Sequence, residues 1–534
     1  MGSLLFDSPV GRFVASFPAL SAAAGLIVAI SFIYIRFIKT PKLDLPVVGN
    51  PGDKWDAQKH IVAGARKYPD TPYILPMDPP IVVLPIKIQD EVRNLPENVV
   101  SFTKEHQRNF FAQYTGIGDH RPEMITAIRQ DLTRHIVSTI PGLQEEVRYG
   151  FDKEFGDCKD WTPFPLYMKV LRIVALTSGR VFVGRPLSRE EEWLQRTISY
   201  TMDCVKARNA IREYPWWKRR WVTSSLPEIA KLTEHRTRGG VLLKPIMDAQ
   251  LAKDSKREKI INEETGDEEG NFIEWLLKHT PGDLKMDPEN LALNQMVLAF
   301  ASVHTSSMSV THAILELVTR PEYFAPLREE LEEVRRADGH TVDDDGYIRL
   351  KKESINKLRK LDSFMKESQR FNPPISTSGT RICTADLKLS TGHTLPKGTR
   401  ICFPSYDVHH NPKTTTYSPE YNPPGYTPPD QFDGLRFFKL REMPGKESRH
   451  QFATANHESL VFGFGNHTCP GRFFAANQIK IILAELLMNW DVRLKGDVEQ
   501  KGGPEKRPQN MVVDLVITPN PMAMVEMKRR SRAV

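Results

Sequence analysis

The sequence predicts a mainly α-helical protein with small β-sheets, an α+β class, behind one N-terminal transmembrane helix. Three observations predict it. No charged residue lies between Arg12 and Arg36, and that stretch is strongly apolar. No glycine or proline interrupts the chain between Pro288 and Pro321. A lone cysteine, Cys469, follows a glycine-rich turn and opens a second apolar helical run.

The first of these, the uncharged core of a 13–38 anchor, is long enough for the ~20 residues that cross a hydrocarbon core of ~30 Å. A cleavable signal peptide is the competing reading, but the apolar part is long and no small-x-small cleavage site follows. Arg36, Lys39 and Lys42 come after it and only Arg12 before it. That bias makes residues 1–12 luminal and puts the rest on the cytoplasmic side. Pro41, Pro46 and Pro51 make residues 39–52 a stiff, proline-rich connector. Residues 53–534 then form one large domain.

Within the body, 73 basic against 66 acidic residues leave a dispersed +7, which gives no footprint for nucleic acid. The five cysteines are scattered and contain no Cys-x-x-Cys pair. A reducing compartment fits them better than a disulfide framework or a zinc site. Tyr73–Leu75 and Ile81–Leu84 read as short strands, and Pro163 to Pro321 as largely helical. Lys253–Asn271 reads as a charged loop within that region. Trp216-Trp217-Lys218-Arg219-Arg220-Trp221 suits either a membrane interface or a helix start with buried tryptophans.

The long helix starts with Asp287 as cap and Pro288 in the first position. Its centre, Ala299 to Ser307, is small and polar between apolar flanks. Either a reactive ligand lies against it, or its hydroxyls bond back to the i−4 carbonyls. A further helix, Ile355–Arg370, brings Glu367 and Arg370 onto one face. Pro419–Pro429 reads as a surface insertion.

The cysteine segment runs Phe462-Gly463-Phe464-Gly465-Asn466-His467-Thr468-Cys469-Pro470-Gly471. Pro470 suits the first position of the following helix, whose dipole then favours a thiolate at Cys469. Gly463, Gly465 and Gly471 let the backbone pass close to a flat ligand. A lone cysteine is more often a buried structural residue, but here each fixed position of aromatic-x-x-Gly-x-x-x-Cys-x-Gly is met.

That spacing resembles the heme-binding loop of the cytochrome P450 family. The resemblance implies the P450 fold and heme b, with Cys469 as axial thiolate ligand to the iron. It places Phe462 against the cofactor and makes Arg381, Arg129 and His467 partners of the heme propionates. His467 stands where the family has arginine, and Ile125 where it has tryptophan, with His120 as a substitute. On the long helix the family's small-small-x-acid-Thr pattern falls on Ala301 to Thr305. Thr305 matches the residue that handles dioxygen and its protons, and His304 replaces the acid as a relay. Glu367, Arg370 and Arg436 match a buried structural lock. Phe102–Gly118, Ala299–Thr305 and Ile375–Ser378 match substrate walls.

By the same resemblance the protein is a monooxygenase of filamentous-fungal secondary metabolism. It uses O2 to hydroxylate or multiply oxidise a bulky, small-molecule apolar substrate, a terpenoid first, with polyketide or indole-derived scaffolds as alternatives. Gly463-Phe464-Gly465 fails the dinucleotide fingerprint because Thr468 occupies the third glycine position. Electrons therefore come from a partner, NADPH-cytochrome P450 reductase, at the endoplasmic reticulum membrane. A heme-thiolate isomerase or dehydratase and a non-enzymatic heme sensor are the other readings.

Overall fold

One helix of 32 residues organises the body, because it is buried along most of its length and touches five other long helices. The computed structural model describes residues 18–33, 43–50, 57–256, 271–342, 347–412 and 425–530. The principal helices are α1 (Pro18–Ile33), α2 (Ala57–Lys67), α3 (Phe102–Phe110), α4 (Ile136–Phe155), α5 (Leu166–Phe182), α6 (Glu191–Arg212) and α7 (Trp216–Val222). They continue with α8 (Pro227–Lys256), α9 (Pro288–Thr319), α10 (Arg359–Phe371) and α11 (Arg472–Asn489). The principal strands are β1 (Tyr73–Leu75), β2 (Ile81–Val83), β3 (Val100–Ser101), β4 (Thr162–Pro165) and β5 (Ser378–Cys383). After these come β6 (Arg400–Phe403), β7 (Trp490–Leu494), β8 (Met511–Val513), β9 (Val516–Thr518) and β10 (Met524–Arg529).

Helix α9 begins where Asp287 and Pro288 place it, with the Asp287 carboxylate accepting from the Glu289 N–H at 2.9 Å. It packs against α5, α6, α8, α10 and α11. Met296, Val310, Ile314 and Leu317 join one apolar core with Val174 of α5 and Ile479 and Ile482 of α11. Two small sheets flank the helices. In one the order is β1-β2-β6-β5-β3, and in the other β7-β10-β4. The two early strands legible in the sequence pair antiparallel, Ile74 opposite Val82.

Several expectations change. The apolar helix α1 covers 16 residues, and Leu26, Ile27, Val28, Ile30 and Phe32 are exposed on it. Among the described residues no helix is long and apolar enough to cross a membrane. Residues 1–12, both ends of the 13–38 segment and the cations Arg36, Lys39 and Lys42 lie outside the described residues.

The described part of the connector, residues 43–50, lies against the body. Pro46 O accepts from Ile74 N at 2.8 Å and Val48 N donates to Ile74 O at 2.9 Å. Unpaired edge groups of β1 draw it in, so the body takes in residues from the connector. Leu358 (φ −72, ψ 74) breaks the expected Ile355–Arg370 helix and starts α10 at Arg359. Of the charged loop, residues 257–270 lie outside the described residues, and α8 runs on to Lys256. The proline-rich insertion is described only from residue 425 onward, and its end is pinned, not superficial: the carbonyls of Pro428 and Pro429 accept from Arg436 and Arg370.

Candidate active site

Ala301 and Thr305 are exposed although they sit mid-way along α9, where Val303 is 1% exposed. Exposure there marks an internal chamber, and residues four apart share that face. Thr305 Oγ1 donates to Ala301 O at 2.9 Å, and Ser302 Oγ to Leu298 O at 2.8 Å. The back-bonding expected of such hydroxyls is therefore present beside the chamber. Phe300 lies edge-on to Phe110, with ring centroids 5.4 Å apart.

His304 turns elsewhere. Its Nε2 lies 3.0 Å from Ile198 O of α6, and its Nδ1 lies 3.1 Å from the Tyr167 hydroxyl of α5. Burial lowers its pKa and the Ile198 carbonyl raises it; burial wins. Its neighbour in sequence, Thr305, thus faces the chamber while His304 is bonded to the adjoining helices. The relay expected of His304 has neither ring nitrogen directed along it, because both are already bonded.

Cys469 N donates to Phe462 O at 2.8 Å, closing the loop that carries the thiol. Gly463 (φ +75) and Gly465 (φ +79) hold left-handed backbone that L side chains resist. A Cβ at Gly465 would also lie 3.0 Å from Arg93 O. Gly471 differs: its φ is −86 and open space lies beside it, with no atom within 4 Å of a Cβ there. Helix α11 starts at Arg472 with Gly471 as cap, so Pro470 lies before the helix instead of inside its first turn. Burial pushes the Cys469 thiol up, opposed by the backbone N–H groups of Gly471 and Arg472 and the charge of Arg472. The expected dipole effect is present but smaller than the desolvation. A metal bound at the sulfur would supply the difference, since coordination deprotonates a thiol outright.

Three basic side chains meet this loop. Arg381 is buried on β5 and donates from Nη1 to Val92 O at 3.2 Å and Arg93 O at 3.0 Å. Its buried Nε has no hydrogen-bond partner. Arg129 donates from Nη2 to Asn466 O at 2.9 Å. His467 places Nε2 3.1 Å from Glu97 Oε1 and stacks on Phe102 with centroids 4.9 Å apart. Burial first, then Arg381, lowers the His467 pKa, while Glu97 raises it.

His120 is exposed. The imidazole that does come here is His106, whose ring lies 3.9 Å from that of Phe102 and whose charge bears on His467. Its spacing of four from Phe102 on α3 is the sequence signal that could have found it. Glu97, in the turn before β3, carried no signal of its own.

These residues fit a heme. A loop thiol, glycines with no side chain in the way, an orphaned buried guanidinium Nε and a second basic side chain give one anionic, planar ligand what it needs. Cys469 would bind the iron, Phe462 would lie beside the loop, and Arg381, Arg129 and His467 would meet the propionates. Behind the loop, Glu367 takes Arg370 bidentately at 2.7 and 2.8 Å and Arg436 at 3.2 Å, all three fully buried or nearly so. This is the structural lock, and it holds no cofactor.

Comparison with known proteins agrees with the geometry. The family model described as Cytochrome P450 matches residues 105–524. Cytochrome P450 monooxygenase BOA7 of Botryotinia fuckeliana is 42% identical over 91% of this chain and 90% of its own. Cytochrome P450 monooxygenase ataF of Aspergillus terreus is 35% identical, covering 89% and 90%. Among solved structures, the retinoic acid-bound cyanobacterial CYP120A1 superposes with a TM-score of 0.60 over 91% of this chain and all of that one, at 16% identity, a likeness of fold alone. With the thiolate loop, the chamber helix and the buried lock in place, the chain belongs to the cytochrome P450 family and is a heme-thiolate monooxygenase.

Proposed function

We propose that this monooxygenase hydroxylates, or oxidises in successive steps, a bulky and mostly apolar secondary metabolite, terpenoids being the first class to test. One observation carries the substrate reading: the chamber face combines small, hydroxyl and apolar groups. Ala301 and Thr305 are exposed on it beside Phe300, and Ile375 (48% exposed), bridged to Val516 (40% exposed), belongs to a segment that the family resemblance adds to the walls. Such walls orient an apolar body and leave few polar handles. Heme, when bound through Cys469, supplies the oxidising power. Thr305 holds a hydroxyl at the chamber to manage protons and water, and the apolar walls exclude bulk solvent.

Electrons come in this reading from NADPH-cytochrome P450 reductase, docking near the cysteine loop where Arg129 is exposed. The exposed apolar surface of α1 supports a single-pass anchor in the endoplasmic reticulum membrane with the catalytic body cytoplasmic. Trp216, Trp217 and Trp221, all exposed on α7, support a second contact at headgroup level. The test is expression with a reductase in a host fed terpenoid, polyketide and indole precursors, with products read by mass. A product one oxygen heavier from a terpenoid supports the reading. Failure of every terpenoid to shift the Soret band overturns the substrate class.

A further inference from the structure

Two bonds determine the state of His304. The Ile198 carbonyl can only accept, so the Nε2 that faces it carries the proton. Nδ1 is then bare, and the Tyr167 hydroxyl must be the donor to it. Among the described residues His304 is the one hydrogen-bond partner of that hydroxyl. The surroundings are apolar: Leu171, Leu176, Leu194, Ala299 and Val303 form the cluster on which Tyr167 and Ile198 pack. No carboxylate or ammonium shifts either group, and burial dominates both.

A chain of contacts therefore runs from α5 through the imidazole to α6, crossing α9 one residue before Thr305. We propose that Tyr167 is a positioning residue of the site, acting through His304. It locks the imidazole as an Nε2–H strut that fixes the turn of α9 bearing Thr305, and His304 itself passes no proton. The idea rests on the monooxygenase reading but assigns a role to a residue that no part of that reading uses. A loosened turn lets Thr305 move relative to the chamber, and reducing equivalents then leave as peroxide instead of product.

The side chain of glutamine separates a strut from a relay. In His304→Gln the amide oxygen can accept from Tyr167 while the amide N–H donates to Ile198 O, yet nothing titrates. The full-length holoenzyme would be assayed with reductase and NADPH, using farnesol as probe, for product and peroxide formed per NADPH in H2O and D2O. His304→Gln should stay within about twofold of the parent, with an unchanged solvent isotope ratio. His304→Ala and Tyr167→Phe should each raise peroxide release about threefold or more, and the double variant should match His304→Ala alone, since coupled residues do not add. A His304→Gln enzyme as impaired as His304→Ala, or a double variant with summed losses, would overturn the proposal.

Melting temperatures of the same four proteins give a second reading. The double variant should melt with His304→Ala, and additive shifts would show that the two residues are uncoupled. Peroxide release and melting need no productive substrate, so a parent enzyme that ignores farnesol defeats the terpenoid choice without obscuring this result.

Discussion

The hydroxyl of Thr305 donates to the carbonyl of Ala301, 2.9 Å away and one turn earlier on the same exposed face of α9. Its proton is therefore engaged while its lone pairs remain turned to the chamber. Replacing Thr305 with Ala removes a hydroxyl that bonds only within its own helix, so folding and heme content should hold. Product per NADPH should fall about a hundredfold, the low end of general acid–base effects, with matching peroxide. Coupling measured with oxygen and peroxide electrodes checks this, and an unchanged ratio removes Thr305 from the mechanism.

Two bonds hold Cys469 in its loop without the sulfur: its N–H reaches Phe462 O, and its carbonyl accepts from Arg472. Cys469→Ala should thus keep the loop and lose the ligand. Reduced protein under carbon monoxide should lack the absorption band from which the family takes its name. Its melting temperature should fall, because a ligand bound only to the native state no longer adds its binding energy.

Glu367 should be the costliest single change in the lock. Burial alone would raise its pKa, but Arg370 and then Arg436 overcome this and hold the carboxylate ionised. Neutralising it as Glu367→Gln leaves two guanidinium groups buried without their counter-charge. About 3–5 kcal/mol of stability should be lost, read from the urea midpoint of the holoprotein.

Acid should weaken the fold before its carboxylates titrate. Burial lowers His312 and His409 well below the usual histidine range, and takes His410 to about 4 and His450 to about 3. Each is neutral in the native state, whereas the unfolded chain takes up a proton near its ordinary pKa of ~6.5. Below that pH the unfolded state binds more protons, so stability falls as pH drops, at ~1.4 kcal/mol per pH unit for each such histidine. The loss continues to about pH 4 for His410 and about pH 3 for His450. Melting temperature against pH checks the slope, and stability that is flat below ~6.5 would contradict it.

The tryptophans of α7 give the membrane reading its own test. Trp216 and Trp221 are 76% and 70% exposed, on a helix that also carries Lys218 and Arg220. In vesicles containing brominated lipid, the full chain should show quenched tryptophan fluorescence. Replacing Trp216, Trp217 and Trp221 with Phe should remove part of that quenching, and equal quenching would place the helix away from the lipid.

What was legible in the sequence was periodic or covalent. Asp287 and Pro288 fixed the start of α9 because a cap and a missing N–H act locally, and the glycines around Cys469 mark the turn they make possible. Long-range partners were not legible. Nothing within a few residues of Tyr167 points to His304, 137 positions later, or of Glu97 to His467. Leu358 splits a helix whose pattern is continuous, and Pro46 and Val48 leave the connector for a sheet edge that exists only after folding. The thiol of Cys469 shows the same limit: the dipole could be read locally, but the burial that outweighs it is tertiary.

The pairing of β4 with β10 has a consequence for biosynthesis. Phe164 lies opposite Val525, and Arg381 of β5 opposite Ile401, in a sheet begun by residues near position 73. The first of these sheets can close only when nearly the whole polypeptide has left the ribosome, whereas the second needs the chain only as far as Phe403. A nascent chain stalled before β10 would leave the β4 edge unpaired, a template for pairing with another chain.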